Sequence, residues 1–292
     1  MDTTRLPLRS VLFAPGNDRR KIDKALGLGA SLVMLDLEDA VAAGEKEEAR
    51  AAVREALLAA SAGTTPLGVR INALASGLAD ADLDALAEVL PRIAVITIPM
   101  VEGADDVRHV AARLDALERT SGGEPTALLV MAETARGILG ARTIAEASAR
   151  VRTLLFGPAD LGRELGVEPT ADGFEHLHAR SALVLAARAA GREAPVDGPY
   201  LSLDDDEGCA VSAAWSRRLG FQGKVALHPR QLPIVTAAFA PREHELAWAR
   251  EVERAFRAAE ASGASSLKLA DGTFVDYAVV ARARALLRAD EA

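Results

Sequence analysis

Short aliphatic and β-branched runs recur along the chain at roughly thirty-residue intervals, the length of one βα unit. In order they are SVLFAPG, LVMLDLED, GVRINA, AVITIPM, ALLVMAE, TLLFGPAD, EAPVDG and KVALHP. Most gaps between them hold stretches rich in Ala, Leu, Glu and Arg that read as helices: Asp18–Gly29, Glu45–Ala60, Leu78–Leu90, Ala104–Arg119, Arg136–Ala149 and Phe174–Ala190. Eight such units within roughly 240 residues predict an α/β fold of the (β/α)8 TIM barrel type, whose usual size is ~250 residues. The competing fold is a doubly wound open sheet; the count of eight and the absence of a glycine-rich dinucleotide turn after SVLFAP favour the barrel.

The pattern continues beyond the eighth unit. Arg242–Ser262 reads as a helix, GASSLKLADGTF as a turn-rich piece and Asp276–Arg288 as a final helix. The expected organisation is a catalytic barrel over 1–240 and a carboxyl-terminal helical extension, or lid, over 241–292. Such an extension packs beside or across a barrel mouth, in its own subunit or in a neighbour.

Composition narrows the class of function. With 50% hydrophobic and 26% charged residues over 292 positions, the chain has the material for a large core and no charge excess of the disordered kind. The single cysteine, Cys209, excludes an internal disulfide framework and a CxxC redox or zinc site. MDTTRLPLRS holds no signal-peptide core and no later stretch approaches ~18 uncharged apolar residues, so the expectation is a cytoplasmic protein with no membrane partner. A formal net charge of -8 repels a phosphate backbone, which removes nucleic acid from the expected partners.

Reactive groups of a barrel sit at the carboxyl ends of its strands. The second run ends in Glu38 and Asp39, the third in Arg70 and Asn72, the fifth in Glu133, the sixth in Asp160, the seventh in Asp197 and the eighth in His228. Carboxylates confined in one mouth repel each other unless a cation or an arginine neutralises them. Glu133 and Asp160 end consecutive strands, ~4.8 Å apart, so their oxygens can converge on one ion. Oxygen-only ligation favours Mg2+ before Mn2+. Simpler roles stand beside these: Asp160 capping the helix that begins near Leu161, and Glu133 in a structural pair with an arginine.

Arg70 cannot bind a metal, but its fork suits a substrate carboxylate, with Glu38 orienting the guanidinium. A purely structural Glu38–Arg70 pair is the alternative. After the turn at Pro15 and Gly16, residues Arg19, Arg20, Lys21 and Lys24 place four cations within six positions. That cluster is either a seat for nucleotide phosphates, with Pro15, Gly16, Arg20 and Lys24 as substrate-binding candidates, or a solvated helix face. HExxH, GxSxG and GxxxxGK[ST] are absent. His109, His176, His178 and His244 read as surface residues, and the run DDDE around Asp206 as a solvated loop.

The ordered set SVLFAPGN, LDLEDAV, VRIN, AETARG, FGPADL, VDGPY and LHPRQ resembles the citrate lyase beta-subunit-like family of the HpcH/HpaI aldolase superfamily, and the resemblance covers nearly the whole chain, from Arg9 to about Arg288. The resemblance implies a TIM barrel carrying Mg2+ that makes or breaks a carbon–carbon bond between a 2-oxo acid and an acyl-CoA. It implies that Glu133 of AETARG and Asp160 of FGPADL bind the metal and that Arg70 of VRIN grips the oxo acid. Malyl-CoA and citramalyl-CoA lyases of this group use a carboxyl-terminal lid that supplies an aspartate to the adjacent subunit of a trimer. ADGTFVDYAVVARAR is similar to that lid, which implies a homo-oligomer, trimer or hexamer, with Asp276 as the proton-transfer residue. Two positions depart from the pattern: Ala278 stands where the lid usually has proline, and Met100 follows Pro99 where lysine is usual. The resemblance leaves two further activities open, hydrolysis of a malyl-CoA-type thioester and action as a citrate lyase subunit on an acyl-carrier partner.

Overall fold

In the computed structural model, which describes residues 7–60, 65–121, 124–170 and 173–290, the eight runs become eight parallel strands. They are β1 (Ser10–Pro15), β2 (Leu32–Asp36), β3 (Leu67–Arg70), β4 (Val95–Ile98), β5 (Ala127–Ala132), β6 (Val151–Phe156), β7 (Val196–Asp197) and β8 (Gly223–Ala226). Each pairs with the next, and β8 closes on β1 with Ser10 opposite Lys224. The chain is a (β/α)8 barrel.

The connecting helices are α1 (Arg19–Leu26), α2 (Lys46–Ala59), α3 (Ala79–Leu86), α4 (Ala104–Ser121), α5 (Ala135–Leu139), α6 (Ala141–Glu146), α7 (Pro158–Leu165), α8 (Leu177–Ala189), α9 (Asp206–Leu219) and α10 (Gln231–Phe239). The helix expected over Arg136–Ala149 is broken at Gly140 into α5 and α6. DDDE is not a solvated loop but the start of α9. The Asp205 carboxylate accepts the Gly208 amide as N-cap, and Asp206 and Glu207 occupy the first turn, where the helix dipole favours negative charge.

Strand side chains alternate between two shells. Val11, Leu32, Met34, Val95, Leu129, Met131, Leu155, Val196 and Val225 form one buried cluster, the barrel interior. The intervening residues, such as Leu12, Val33, Leu35, Val69, Ile96, Val130 and Leu154, join the larger cluster under the helices. Each fully buried aliphatic side chain contributes about 1.5–3 kcal/mol, and a one-residue slip would exchange the shells, so the register is strongly specified. The same parity sorts the polar residues. Asp36, Arg70 and Glu133 continue the inner positions at the carboxyl ends of their strands, whereas Asp197 and Lys224 fall on outer ones.

Contacts divide the chain into two compact units, one spanning Leu8–Phe239 and one made mainly of the residues from Ala240 on. The second unit holds α11 (Glu243–Ala261), β9 (Leu267–Lys268), β10 (Phe274–Val275) and α12 (Tyr277–Asp290). The piece that reads as turn-rich contains a short antiparallel hairpin, with Lys268 opposite Phe274. Val252, Phe256, Leu269, Val275, Val280 and Ala283 make its core, and Arg284 Nε donates to Glu253 at 2.8 Å. Among the described residues no helix is long and apolar enough to cross a membrane.

Candidate active site

Asp36 and Arg70 face each other in the β2–β3 register. They form a buried bidentate pair, with Arg70 Nε donating to Asp36 Oδ1 at 2.7 Å and Nη2 to Oδ2 at 2.6 Å. The same carboxylate accepts the amides of Glu38 (2.9 Å) and Ala40 (3.0 Å), so it fixes the loop that carries Glu38. Arg70 Nη1 lies 2.9 Å from Glu38 Oε2, and the guanidinium sits 5.1 Å above the Phe13 ring. Burial opposes the charge on Arg70, but Asp36 and Glu38 more than offset it and hold its pKa above the ordinary arginine value. Burial pushes Glu38 up to about 7, with Arg70 opposing and the Asp39 and Asp36 charges adding.

Glu133 follows β5 and is 2% exposed. Its Oε1 accepts the Met100 amide at 2.7 Å. Met100 is the one non-glycine residue with positive φ (52°) among those described; such a conformation costs about 1–3 kcal/mol, and here it turns an N–H onto the carboxylate. Met100 therefore matters through its backbone, a role no side-chain pattern reveals. Burial pushes Glu133 up to about 7 against the Met100 hydrogen bond, and the neighbouring Asp160 and Glu38 carboxylates add to the rise.

Asp160 lies in the first turn of α7 and is not its cap, a position taken by Gly157. Its Oδ1 accepts Arg163 Nη2 at 2.7 Å. A Cβ added at Gly157 would fall 2.3 Å from Glu133 Oε2 and 2.4 Å from Glu133 Cβ; glycine is what lets α7 start against this carboxylate. Gly157→Ala is expected to displace Glu133 and lower turnover by about 100-fold, the scale of a misplacement near 1 Å, with circular dichroism unchanged. Full activity in Gly157→Ala would show that the position of Glu133 is not critical.

A buried carboxylate whose pKa is raised by burial and by the Asp160 and Glu38 charges, with Arg70 opposing, offers hard oxygen donors that fit a divalent ion. Among the described residues no three His, Cys, Asp or Glu side chains converge into a full ligand set. An ion between Glu133 and Asp160 would therefore draw its other positions from water or substrate oxygens, as Mg2+ commonly does.

The other expected residues fall in several places. Gly16 packs its backbone on β2, its amide donating to Asp36 O at 2.8 Å, and a Cβ there would meet that oxygen at 2.6 Å. Pro15 ends β1. Arg20 and Lys24 are exposed one turn apart on α1, whereas Arg19 pairs with Asp23 and Lys21 with Asp18. Asn72 is turned onto Asp82, donating from Nδ2 at 2.7 Å. Asp197 does not join the mouth: it is fully buried on the outer face, with Lys224 Nζ at 2.7 Å and Arg180 Nη2 at 3.1 Å. His228 is exposed, its Nδ1 accepting the Arg230 amide. His176 is not a surface residue; it is 6% exposed, edge-on to Phe156 at 5.4 Å. In the second unit, Asp276 Oδ1 accepts the amides of Ala278 and Val279 at 3.0 Å each, capping α12.

Residues 9–229 match the HpcH/HpaI aldolase/citrate lyase family model. The chain belongs to that family. Over 286 residues it is 37% identical to a (3S)-malyl-CoA thioesterase of Cereibacter sphaeroides, covering 98% of this chain and 95% of the relative. It is 31% identical over 290 residues to the mitochondrial citramalyl-CoA lyase of Rattus norvegicus, covering 96% and 85%. Among solved structures it resembles the CitE protein of Mycobacterium tuberculosis in complex with magnesium, acetoacetate and coenzyme A, with a TM-score of 0.77, 32% identity and 98% of each chain covered. In this HpcH/HpaI chain, Glu133 and Asp160 fall within the matched region and Asp276 lies beyond it.

Proposed function

We propose that this chain is a Mg2+-dependent carbon–carbon lyase. Its substrate class is a 3-hydroxy-acyl-CoA with a terminal carboxylate, of the malyl-, methylmalyl- or citramalyl-CoA type, cleaved to a 2-oxo acid and a shorter acyl-CoA or formed from them. The observation that carries the reading is the buried Glu133 carboxylate, held by the Met100 amide within electrostatic reach of Asp160 and of the Asp36-anchored Arg70 guanidinium. A citramalyl-CoA lyase and a magnesium- and CoA-bound structure among similar proteins support it. Bound by Glu133 and Asp160, Mg2+, with Mn2+ as a substitute, supplies Lewis-acid stabilisation of oxyanion charge.

The chain's own residues do the rest. Arg70 spends two of its five donors on Asp36 and turns Nη1 to Glu38, which locks the fork in place, and offers the donors left over to the substrate carboxylate. Glu38, with a pKa of about 7, is matched to neutral pH for taking the C3 hydroxyl proton. Loss of that proton turns the C3–O bond into the carbonyl of the oxo acid as the C2–C3 bond breaks, its electron pair passing to the acyl-CoA enolate. Asp276 of a neighbouring copy returns a proton to C2, which requires a homo-oligomer, a trimer or hexamer. Arg20 and Lys24, exposed one turn apart on the helix that follows the Pro15–Gly16 turn, seat the CoA phosphates.

Asp276→Asn separates catalysis from capping, because asparagine still caps α12. It is expected to lower kcat by about 10²- to 10⁴-fold with the melting temperature unchanged; wild-type turnover in this variant would remove Asp276 from the chemistry. The reading as a whole is tested by incubating purified protein and Mg2+ with malyl-, methylmalyl- and citramalyl-CoA and separating the products, with an EDTA control. The expected result is metal-dependent appearance of a shorter acyl-CoA with its oxo acid. The similarity to a malyl-CoA thioesterase supports a second reading, in which the products are free CoA thiol and the intact hydroxy acid. Turnover only with an acyl-carrier protein would make the chain a citrate lyase subunit.

A further inference from the structure

At the carboxyl ends of β6 and β7, α7, the turn Phe174–His176, α8 and the loop after β7 line a cavity of about 650 Å3, which Pro158, Ala159 and Arg163 bring next to Asp160. None of Glu38, Arg70, Glu133 and Asp160 lines it. Its volume lies in the range of small-molecule sites, about 300–1,000 Å3. Apolar walls come from Pro158, Ala159, Val167, Pro199 and Leu201.

The polar lining is unusual for a structural void. Arg180 lines the cavity and is 6% exposed. Among the described residues it makes a single hydrogen bond, from Nη2 to Asp197 Oδ2, and its Nε is buried with no partner. Its guanidinium lies 5.9 Å above the Phe156 ring. Beside it His176, also 6% exposed, leaves Nδ1 without a partner, with Glu175 3.7 Å from its Nε2. The counter-charge is shared: Asp197 also takes the ammonium of Lys224 at 2.7 Å and the Ser216 hydroxyl. Among the described residues, the two buried cations Arg180 and Lys224 both pair with Asp197, while Glu175 lies beside His176. A buried guanidinium with most of its donors unused is costly, and a planar carboxylate matches its fork.

We propose that this cavity is a second ligand site, for a carboxylic acid with a compact apolar body. The carboxylate docks on Arg180 beside His176, and the body lies against the proline and aliphatic wall.

Benzoate is the probe and calorimetric titration of the full chain in EDTA the measurement. Saturable millimolar or tighter binding is expected for the wild type, with benzyl alcohol, which keeps the ring and lacks the charge, at least about tenfold weaker. Arg180→Gln is expected to weaken benzoate binding at least about tenfold. Because that change disturbs a buried cluster, Ser202→Trp is the second variant: Ser202 is exposed at the cavity lining, and the indole fills the space without touching the buried charges. It is expected to abolish binding while the melting temperature holds. Benzoate affinity undiminished in both variants would place the anion elsewhere and overturn the proposal. Equal affinity for benzyl alcohol, or no benzoate binding by the wild type, would overturn it as well.

Discussion

Glu133→Gln is expected to lower kcat/KM by about 10³-fold while the melting temperature stays level or rises. A Lewis-acid metal supplies several kcal/mol to the transition state, and each ~1.4 kcal/mol is a factor of ten in rate. Glutamine has the same shape and still accepts the Met100 amide, so the loop after β4 keeps its conformation. What is lost is the negative charge, and that charge is expensive for the metal-free fold: the side chain is 2% exposed and burial pushes its pKa up to about 7. The opposite movement of activity and stability distinguishes a ligand held at a cost from a residue that holds the barrel together. Steady-state kinetics with Mg2+ and a thermal melt in EDTA give the two readouts. A fall in stability with activity intact would reverse the assignment.

Asp197→Ala is expected to cost about 3–5 kcal/mol of stability, the penalty for leaving buried charge without its partner. Lys224 is 0% exposed, and burial holds its pKa below the ordinary lysine range despite the Asp197 charge beside it. Although burial opposes the charge on Asp197 too, Lys224 and Arg180 together keep that carboxyl below the usual range. Removing the shared carboxylate strands both cations, whereas Lys224→Met leaves Asp197 with Arg180 and Ser216. The second change should therefore cost clearly less. Urea denaturation of the two variants checks the order, and equal losses would show that the cluster does not share its charge in this way.

The eight strands were legible because each is a short apolar run bounded by turn residues, a pattern that survives without tertiary information. Side-chain direction was harder. Taking the residues that end each run brings out Glu38, Arg70, Glu133 and Asp160, but treats Asp197 as one more carboxylate of the mouth. Counting parity from the inward Val196 would have turned Asp197 outward, toward Lys224 of the neighbouring strand. The same count from Met34 would have found Asp36, the carboxylate that holds Arg70 bidentately. α9 was missed because its start, DDDE, resembles a solvated charge run; Asp205 as cap and Asp206 and Glu207 on the dipole give that run its structural purpose. The contact of Met100 with Glu133 is a backbone contact at positive φ, and the residue type carries no signal of it. His176 escaped because its burial depends on packing against Phe156 at the end of β6, a tertiary contact that its own polar segment does not signal.

Glu133 and Asp160 are proposed to hold the ion on which bond cleavage depends. Titrating metal-free protein with Mn2+, followed by electron paramagnetic resonance of the unbound ion, tests this without reference to substrate. One Mn2+ bound per chain and displaced by Mg2+ is predicted for the wild type, with affinity lower by at least about 10- to 100-fold in Glu133→Gln and in Asp160→Asn. Mn2+ binding of unchanged strength and stoichiometry in both variants would contradict the account.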